Sequence, residues 1–339
     1  MTALALLASF VATARASAQS LSQALKSSPA PTLQSMAQAT LTQDYTATQR
    51  RIFRDDKGSV VVVREQVQVD ANNSAIPTFQ VTFLGVEGEL PGSPLNQKWQ
   101  QVYSRFGRQF FLQASFRVRD LTKVQQNYTL HSFGSVLRAN RLAHRLVIFP
   151  QSNDKSIWVI DVDTATSVAL YAAEFDASMR LQSEVETIAF QPSAQLPFTS
   201  PGGGSVTTHP DYASAQAAMG NPAGLIDPDT GSAAEYGVDR VEVRTDPLNG
   251  RQTLSIAYTD GVDEFVITQM PGSSDMFDGL PSQDKVISPG AHTIGRYRDP
   301  AMSVLMFWDD GVAFRVVGRG SLQRLDEVAR RVYTQAITN

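Results

Sequence analysis

No cysteine occurs among the 339 residues of this chain. Disulfides, thiolate metal sites, thiol catalysis and cysteine-linked lipid anchors are therefore excluded. Histidine is scarce. The four present, His131, His144, His209 and His292, are scattered. None has a second histidine at i+3 or i+4, the spacing that sets two metal ligands on one helix face. Each reads as a solvated or core side chain. The G-x-S-x-G turn of a nucleophilic serine is also missing. "SPGGGS", 200–205, lacks the Gly-Lys-Ser/Thr ending of a phosphate loop and follows no strand. "DPDTG", 227–231, lacks the later acidic ligand of a calcium loop, and Pro228 sits badly in one. The residues thus define no catalytic set, no metal site and no cofactor site.

Charge of one sign is in short supply too. The net charge is −4, too little to imply nucleic acid or an acidic surface as partner for the whole chain. It is unevenly spread, however. Residues 1–190 carry 18 basic and 15 acidic side chains, and residues 191–339 carry 11 and 18. Two modules with different surfaces account for this.

Long apolar runs are confined to the start. "MTALALLASFVATARASAQS" holds an apolar stretch of roughly 12 residues from Ala3 to Ala14, too short to cross a bilayer. It leads to Ala16-Ser17-Ala18, a small-x-small cleavage pattern. Residues 1–18 are therefore expected to be a signal peptide, although no Lys or Arg precedes the apolar run. The expectation is an exported, soluble protein. Asn72-Asn73-Ser74 and Asn127-Tyr128-Thr129 match glycosylation triplets, which are common by chance.

What is abundant is apolar and β-branched: 42% of the chain is hydrophobic, with 17 Phe, 9 Tyr and 3 Trp. A short helical stripe over 32–41 gives way at Asp44 to a period of two. "DYTATQRRIF", "SVVVVREQVQVD" and "IPTFQVTFLG" read as three strands, the first two joined at Asp55–Gly58. Phe79, Val81 and Phe83 share one face of the third. "LNQKWQQVYSRF" breaks the pattern. Leu95, Trp99, Val102, Tyr103 and Phe106 fall on one helical stripe. A second short helix is expected in "VRDLTKVQQNY", and then strands resume through Phe190. "KSIWVIDV" is apolar on both faces, Ile157 and Val159 on one, Trp158, Ile160 and Val162 on the other. A sheet washed by water on one side does not read this way, so something covers each face.

Residues 191–236 are rich in Gly, Pro, Ala, Ser and Thr and are expected to be a flexible linker. Strand patterns return from Val238. The last two meet at Asp309-Asp310-Gly311. Ser321 is placed to cap a final helix with Leu322, Leu325, Val328, Ala329, Val332 and Ala336 as its buried stripe. The organisation expected is residues 30–190 as one module, 191–236 as linker, and 237–339 as a smaller α+β module.

One stretch, Tyr103 to Lys123, interleaves aromatics with Arg105, Arg108, Arg117, Arg119 and Lys123. It has three readings: a half-buried helix and strand with arginines in water, a basic rim around an apolar site for an amphipathic anion, or a nucleic-acid surface. Export weighs against nucleic acid.

Tyr45 to Phe53 after a helix, and the segment 138–190 with Trp158, Asp161 and Asp176-Ala177-Ser178, resemble the RseB/MucB family of periplasmic regulators. "LSIAYTDGVDEFVITQ" is similar to that family's Tyr-Ser-Asp-Gly strand pair at Tyr258, Asp260 and Gly261. Val316, Val317, Gly318 and Leu325 match its closing strand and helix. Ala165-Thr166-Ser167 departs from the family's Gly-Leu-Pro turn, and residues 86–130 match poorly. The resemblance implies an α+β fold: an unclosed antiparallel β half-barrel with a helical lid, like the carriers LolA and LolB, followed by a smaller α+β domain; the helix 95–106, with Trp99 and Tyr103, is the expected lid. It implies a binding protein, not an enzyme. Its partners would be the periplasmic segment of a membrane-anchored anti-sigma factor, which it would protect from proteolysis, and lipid or lipoprotein acyl chains. Strand parity and helix stripe set Phe79, Val81, Phe83, Trp99, Val102, Tyr103, Phe106, Trp158 and Ile160 around the apolar cavity that such a fold would hold. A lipid or lipoprotein carrier without a regulatory partner is the alternative, and a secreted hydrolase is a distant third. Homo-oligomerisation is left open.

Overall fold

The computed structural model describes residues 30–54, 60–71, 78–152, 155–193, 205–228, 235–246, 249–271, 285–287, 293–299, 302–318 and 322–338. The expected signal peptide over 1–18 and the cap Ser321 lie outside them.

The first module begins with α1, Ala30–Thr42, and enters its sheet through β1, Tyr45–Arg54. β2 (Val60–Asp70) and β3 (Thr78–Val86) follow, then α2 (Pro94–Ala114) and α3 (Leu121–Asn127). β4 (Tyr128–Arg138), β5 (Arg141–Pro150), β6 (Ile157–Asp163), β7 (Ala169–Phe175) and β8 (Leu181–Pro192) complete the sheet. Its order is β3-β2-β1-β8-β7-β6-β5-β4, antiparallel throughout. β3 and β4 do not pair, so the sheet is not closed into a barrel. Five register shifts interrupt the ladder, at Thr48, Arg64, Ser132, Asp161 and Glu174. Such bulges bend and twist a sheet. The class is α+β, as expected.

Both faces of β6 are buried along its whole length. Trp158, Ile160 and Val162 pack under Leu33 and Met36 of α1, with Phe116, Val124 and, from the second module, Val262. Ile157 and Val159 join Val147, Ala173 and Phe175, with Met179 of the β7–β8 turn packed against them. The other residues on that outer face, Asp161 and Asp163, are clasped by Arg138, Arg145 and Arg141. Part of the chain itself thus covers each side.

The second module has eight strands as well. They are β9 (Val206–His209), β10 (Gly237–Thr245), β11 (Gln252–Thr259), β12 (Glu264–Pro271), β13 (Lys285–Ile287), β14 (Thr293–Asp299), β15 (Met302–Asp309) and β16 (Val312–Gly318). Their order is β13-β14-β15-β16-β12-β11-β10-β9. Asp310 and Gly311 both take positive φ in the β15–β16 turn, which matches the right-handed strand twist. α4 (Tyr212–Ala218) and α5 (Leu322–Thr338) pack on this sheet. Leu325, Val328, Ala329 and Val332 of α5 are buried as the stripe predicts, and Tyr333 joins them.

The expected flexible linker over 191–236 is corrected where it is described. Residues 191 and 192 finish β8, and β9 pairs with β10. Ala215, Leu225 and Ile226 enter the core of the second module. Gln269 holds the backbone of Ile226 at both ends, accepting from its N–H at 2.9 Å and donating to its carbonyl at 2.7 Å. The composition is loop-like, but a few apolar residues at the right places and one buried amide are enough to dock the chain.

Candidate functional site

The expected stripe of α2 is real, and two sheets share it. Ser93 caps the helix by accepting from Asn96 N–H, with Pro94 in its first turn. Trp99 stacks on Phe53 of β1, ring centroids 4.6 Å apart. Tyr103 packs edge-on to Phe110 at 5.2 Å and lies 5.4 Å from Phe83. Val304, Met306 and Val317 of the second sheet belong to the same cluster. The helix expected as a lid over a hollow is therefore sandwiched between modules. Its polar end is also tied down: Tyr103 donates to Glu65 at 2.7 Å, and Arg51 pairs with Glu65 at 2.8 Å, both fully buried. Burial, and then the Glu65 charge, pushes the Tyr103 phenol well above its ordinary value.

A second contact joins the modules through one turn, Thr259 to Glu264. Asp260 is fully buried. Its carboxylate accepts from Tyr128 at 2.7 Å and from the Lys155 ammonium at 2.9 Å, both in the first module. The N–H groups of Val262 and Asp263 complete its shell. Asn127 donates to the Asp260 carbonyl, and Arg119 N–H to that of Gly261 at 2.9 Å. Gly261 has φ +109°, and a Cβ there would lie 2.6 Å from Val124 N. Beside it, Glu264 pairs with Arg119 across the joint at 2.9 Å and with Arg240 of its own module. Burial favours the neutral acid, but the two guanidinium groups outweigh it and hold the Glu264 carboxyl below its ordinary range.

A partly open cavity of about 70 Å³ lies between α1, the end of α2 and the first sheet. Met36 and Ala39 of α1 form one wall, with Phe111, Phe116 and Val185 among the others. Arg117 also lines it. That side chain is only 9% exposed, and its guanidinium lies 4.1 Å from the centroid of the Phe111 ring. It has no carboxylate within ion-pair reach and no hydrogen-bond acceptor among the described residues. Burial first, then the like charge of Arg119, pulls its pKa down to about 9. Tyr45, on the same cavity, is pushed up to about 12 by burial, with Arg117 opposing.

The nine residues expected around one cavity are distributed. Trp99 and Tyr103 share a cluster with Val81, Phe83 and Val102. Phe79 sits with Val67, Val69 and Phe111. Trp158 and Ile160 are on the α1 side of the sheet. The Phe106 side chain lies outside the described residues. None of the other eight borders the 70 Å³ cavity. The reason is that the second module fills the space over α2, which no pattern within the first module reveals.

The structure also amends the polar inventory. His144 is not isolated: its Nε2 lies 2.6 Å from Ser132 Oγ. No acid orients the ring among the described residues, so the pair lacks the third member of a triad. Ser152 and Lys155 have the S-x-x-K spacing of a serine–lysine nucleophile. The lysine is committed to Asp260, and Ser152 Oγ has no hydrogen-bond partner among the described residues, so they form no dyad. Arg117 and Arg119 are not a solvated rim but buried side chains. Among the described residues no helix is long and apolar enough to cross a membrane.

No family model and no curated relative matches the chain. Similar solved structures include MucB, 15% identical with a TM-score of 0.48, covering 89% of this chain and 96% of that one. The MucA/MucB complex from Pseudomonas aeruginosa gives 16%, 0.45, 88% and 96%. A putative outer membrane lipoprotein-sorting protein domain from Vibrio parahaemolyticus gives 11% and 0.20, covering 49% of this chain and 94% of that one. At these values the likenesses leave function to be argued from the residues.

Proposed function

We propose that this chain is a periplasmic regulatory binding protein of RseB/MucB type. It binds the periplasmic segment of a membrane-anchored anti-sigma factor, shields that segment from proteolysis, and responds to an acyl ligand in the first module. The sequence resemblance supplies the partner. The observation that carries the regulatory part is the Asp260 turn, which buries charged groups of both modules in one joint. A ligand that favours one arrangement of the modules must change partner affinity by linkage, and the buried ion pairs of this turn are the contacts that such a change would exchange. Two of the motif residues that carry the resemblance, Asp260 and Gly261, lie in that joint.

The carrier alternative needs standing room for a chain. A cavity of about 70 Å³ is about half the size of an engineered one that holds benzene. Acyl binding here requires a change of shape, which is what a sensor does and a carrier need not.

The test is a protease-protection assay on purified periplasmic segments of the organism's own anti-sigma factors. One segment should be cleaved several-fold more slowly when this protein is present, and an acyl ligand should restore the rate. Equal cleavage of every segment with and without the protein sinks the proposal.

A further inference from the structure

We propose that the cavity between α1 and Arg117 is a head-group pocket for an amphipathic carboxylate, with Arg117 and Ser115 holding the oxygens and the underside of α1 accepting the first carbons. It rests on the acyl-ligand reading above and specifies its chemistry.

Three observations carry it. First, Arg117 is nine-tenths buried, borders the cavity and makes no ion pair among the described residues; Glu264 acts on it only from longer range and is itself clasped by Arg119 and Arg240. A buried cation with no counter-charge in contact is costly, and the Phe111 face offsets only part of that. An anion in the cavity removes the deficit. Second, the polar groups beside it are able to donate. Ser115 Oγ accepts from Arg51 at 3.1 Å, which leaves its O–H free to point into the cavity. Tyr45 keeps its proton. Gln49 Oε1 is buried without a partner while its nitrogen meets Thr187 at 3.3 Å; turning the amide over lets Thr187 donate and aims N–H groups inward. Third, no acidic side chain lines the cavity, and most of its wall is apolar. A small inorganic anion would leave that wall unused, whereas a carboxylate on an alkyl stem uses both parts.

The volume, about 70 Å³, accommodates the head and little more. A longer chain must displace α1, whose Met36, Ala39 and Thr40 form one side together with Gln43 just after the helix. α1 is the only element of the first module that precedes its sheet among the described residues, so it can lift without breaking a strand ladder.

The experiment is isothermal titration of the full protein with octanoate, octan-1-ol and inorganic phosphate, on the natural chain, Arg117→Gln and Ala39→Leu, each checked for native circular dichroism. Arg117→Gln removes an unpaired charge and is expected to fold. Ala39→Leu narrows the cavity from α1 and leaves Arg117 in place. Octanoate should bind the natural chain, at least tenfold more weakly to Arg117→Gln, and more weakly to Ala39→Leu. Octanoate and octanol binding equally to the natural chain and to Arg117→Gln would overturn the head-group assignment while leaving the acyl reading intact. Phosphate binding through Arg117 without octanoate binding would overturn the amphipathic assignment. No binding of any probe to the folded natural chain would overturn both.

Discussion

Lys155 and Asp260 belong to different modules and meet at 2.9 Å with both side chains buried. Tyr128 donates to the same carboxylate oxygen. An ion pair in this position contributes little against two apolar groups, but losing one partner strands the other. Asp260→Ala should therefore lower stability by about 3–5 kcal/mol. Urea unfolding followed by tryptophan fluorescence checks this, and a loss under about 1 kcal/mol would mean that the pair is water-exposed in solution.

Gly261 gives a more selective probe of the joint. Its φ of +109° disfavours any side chain, and a Cβ would meet Val124 N at 2.6 Å. The clash is between modules, not within either. Gly261→Ala should separate them and leave each sheet folded. Small-angle scattering should show a larger radius of gyration, and far-UV circular dichroism should be unchanged.

The joint also sets the pH range of stability. The Glu264 carboxyl is held below its ordinary value. Its contribution is therefore complete above about pH 4.3 and is lost as pH falls through the lower folded value. Tyr103 and Tyr128 are held above theirs, so their contributions are complete below about pH 10 and are lost above it. These groups should make the thermal midpoint fall on both sides of that range. Glu264→Gln should weaken the acid-side dependence.

Much of this fold was legible from residue periodicity. The change from period two to a helical stripe located α2, and the doubly apolar β6 announced that both its faces are covered. What no local pattern carries is the packing between modules. Trp99 and Tyr103 read as a lid because their stripe is apolar, and an apolar stripe does not say which surface meets it. Residues 191–236 read as a linker because they are rich in Gly, Pro, Ala, Ser and Thr, and the docking of Ala215, Leu225 and Ile226 depends on a distant Gln269. Arg117 kept three readings because sequence gives residue type and not burial.

Trp99 tests the shared cluster. Truncation of a buried tryptophan costs about 3–5 kcal/mol. Because Val304, Met306 and Val317 lie in the same cluster, Trp99→Ala should speed hydrogen exchange in β15 and β16 as well as in β1. Faster exchange confined to the first module would show that the sheets do not share α2.

Direct titration decides the central claim. Purified periplasmic segments of the organism's own anti-sigma factors should be titrated calorimetrically into this protein, with and without octanoate. One segment should bind at a defined stoichiometry with micromolar or tighter affinity, and octanoate should weaken it several-fold. If the folded protein binds none of them at concentrations up to about 100 micromolar, roughly −5.5 kcal/mol, it is not a regulator of this kind.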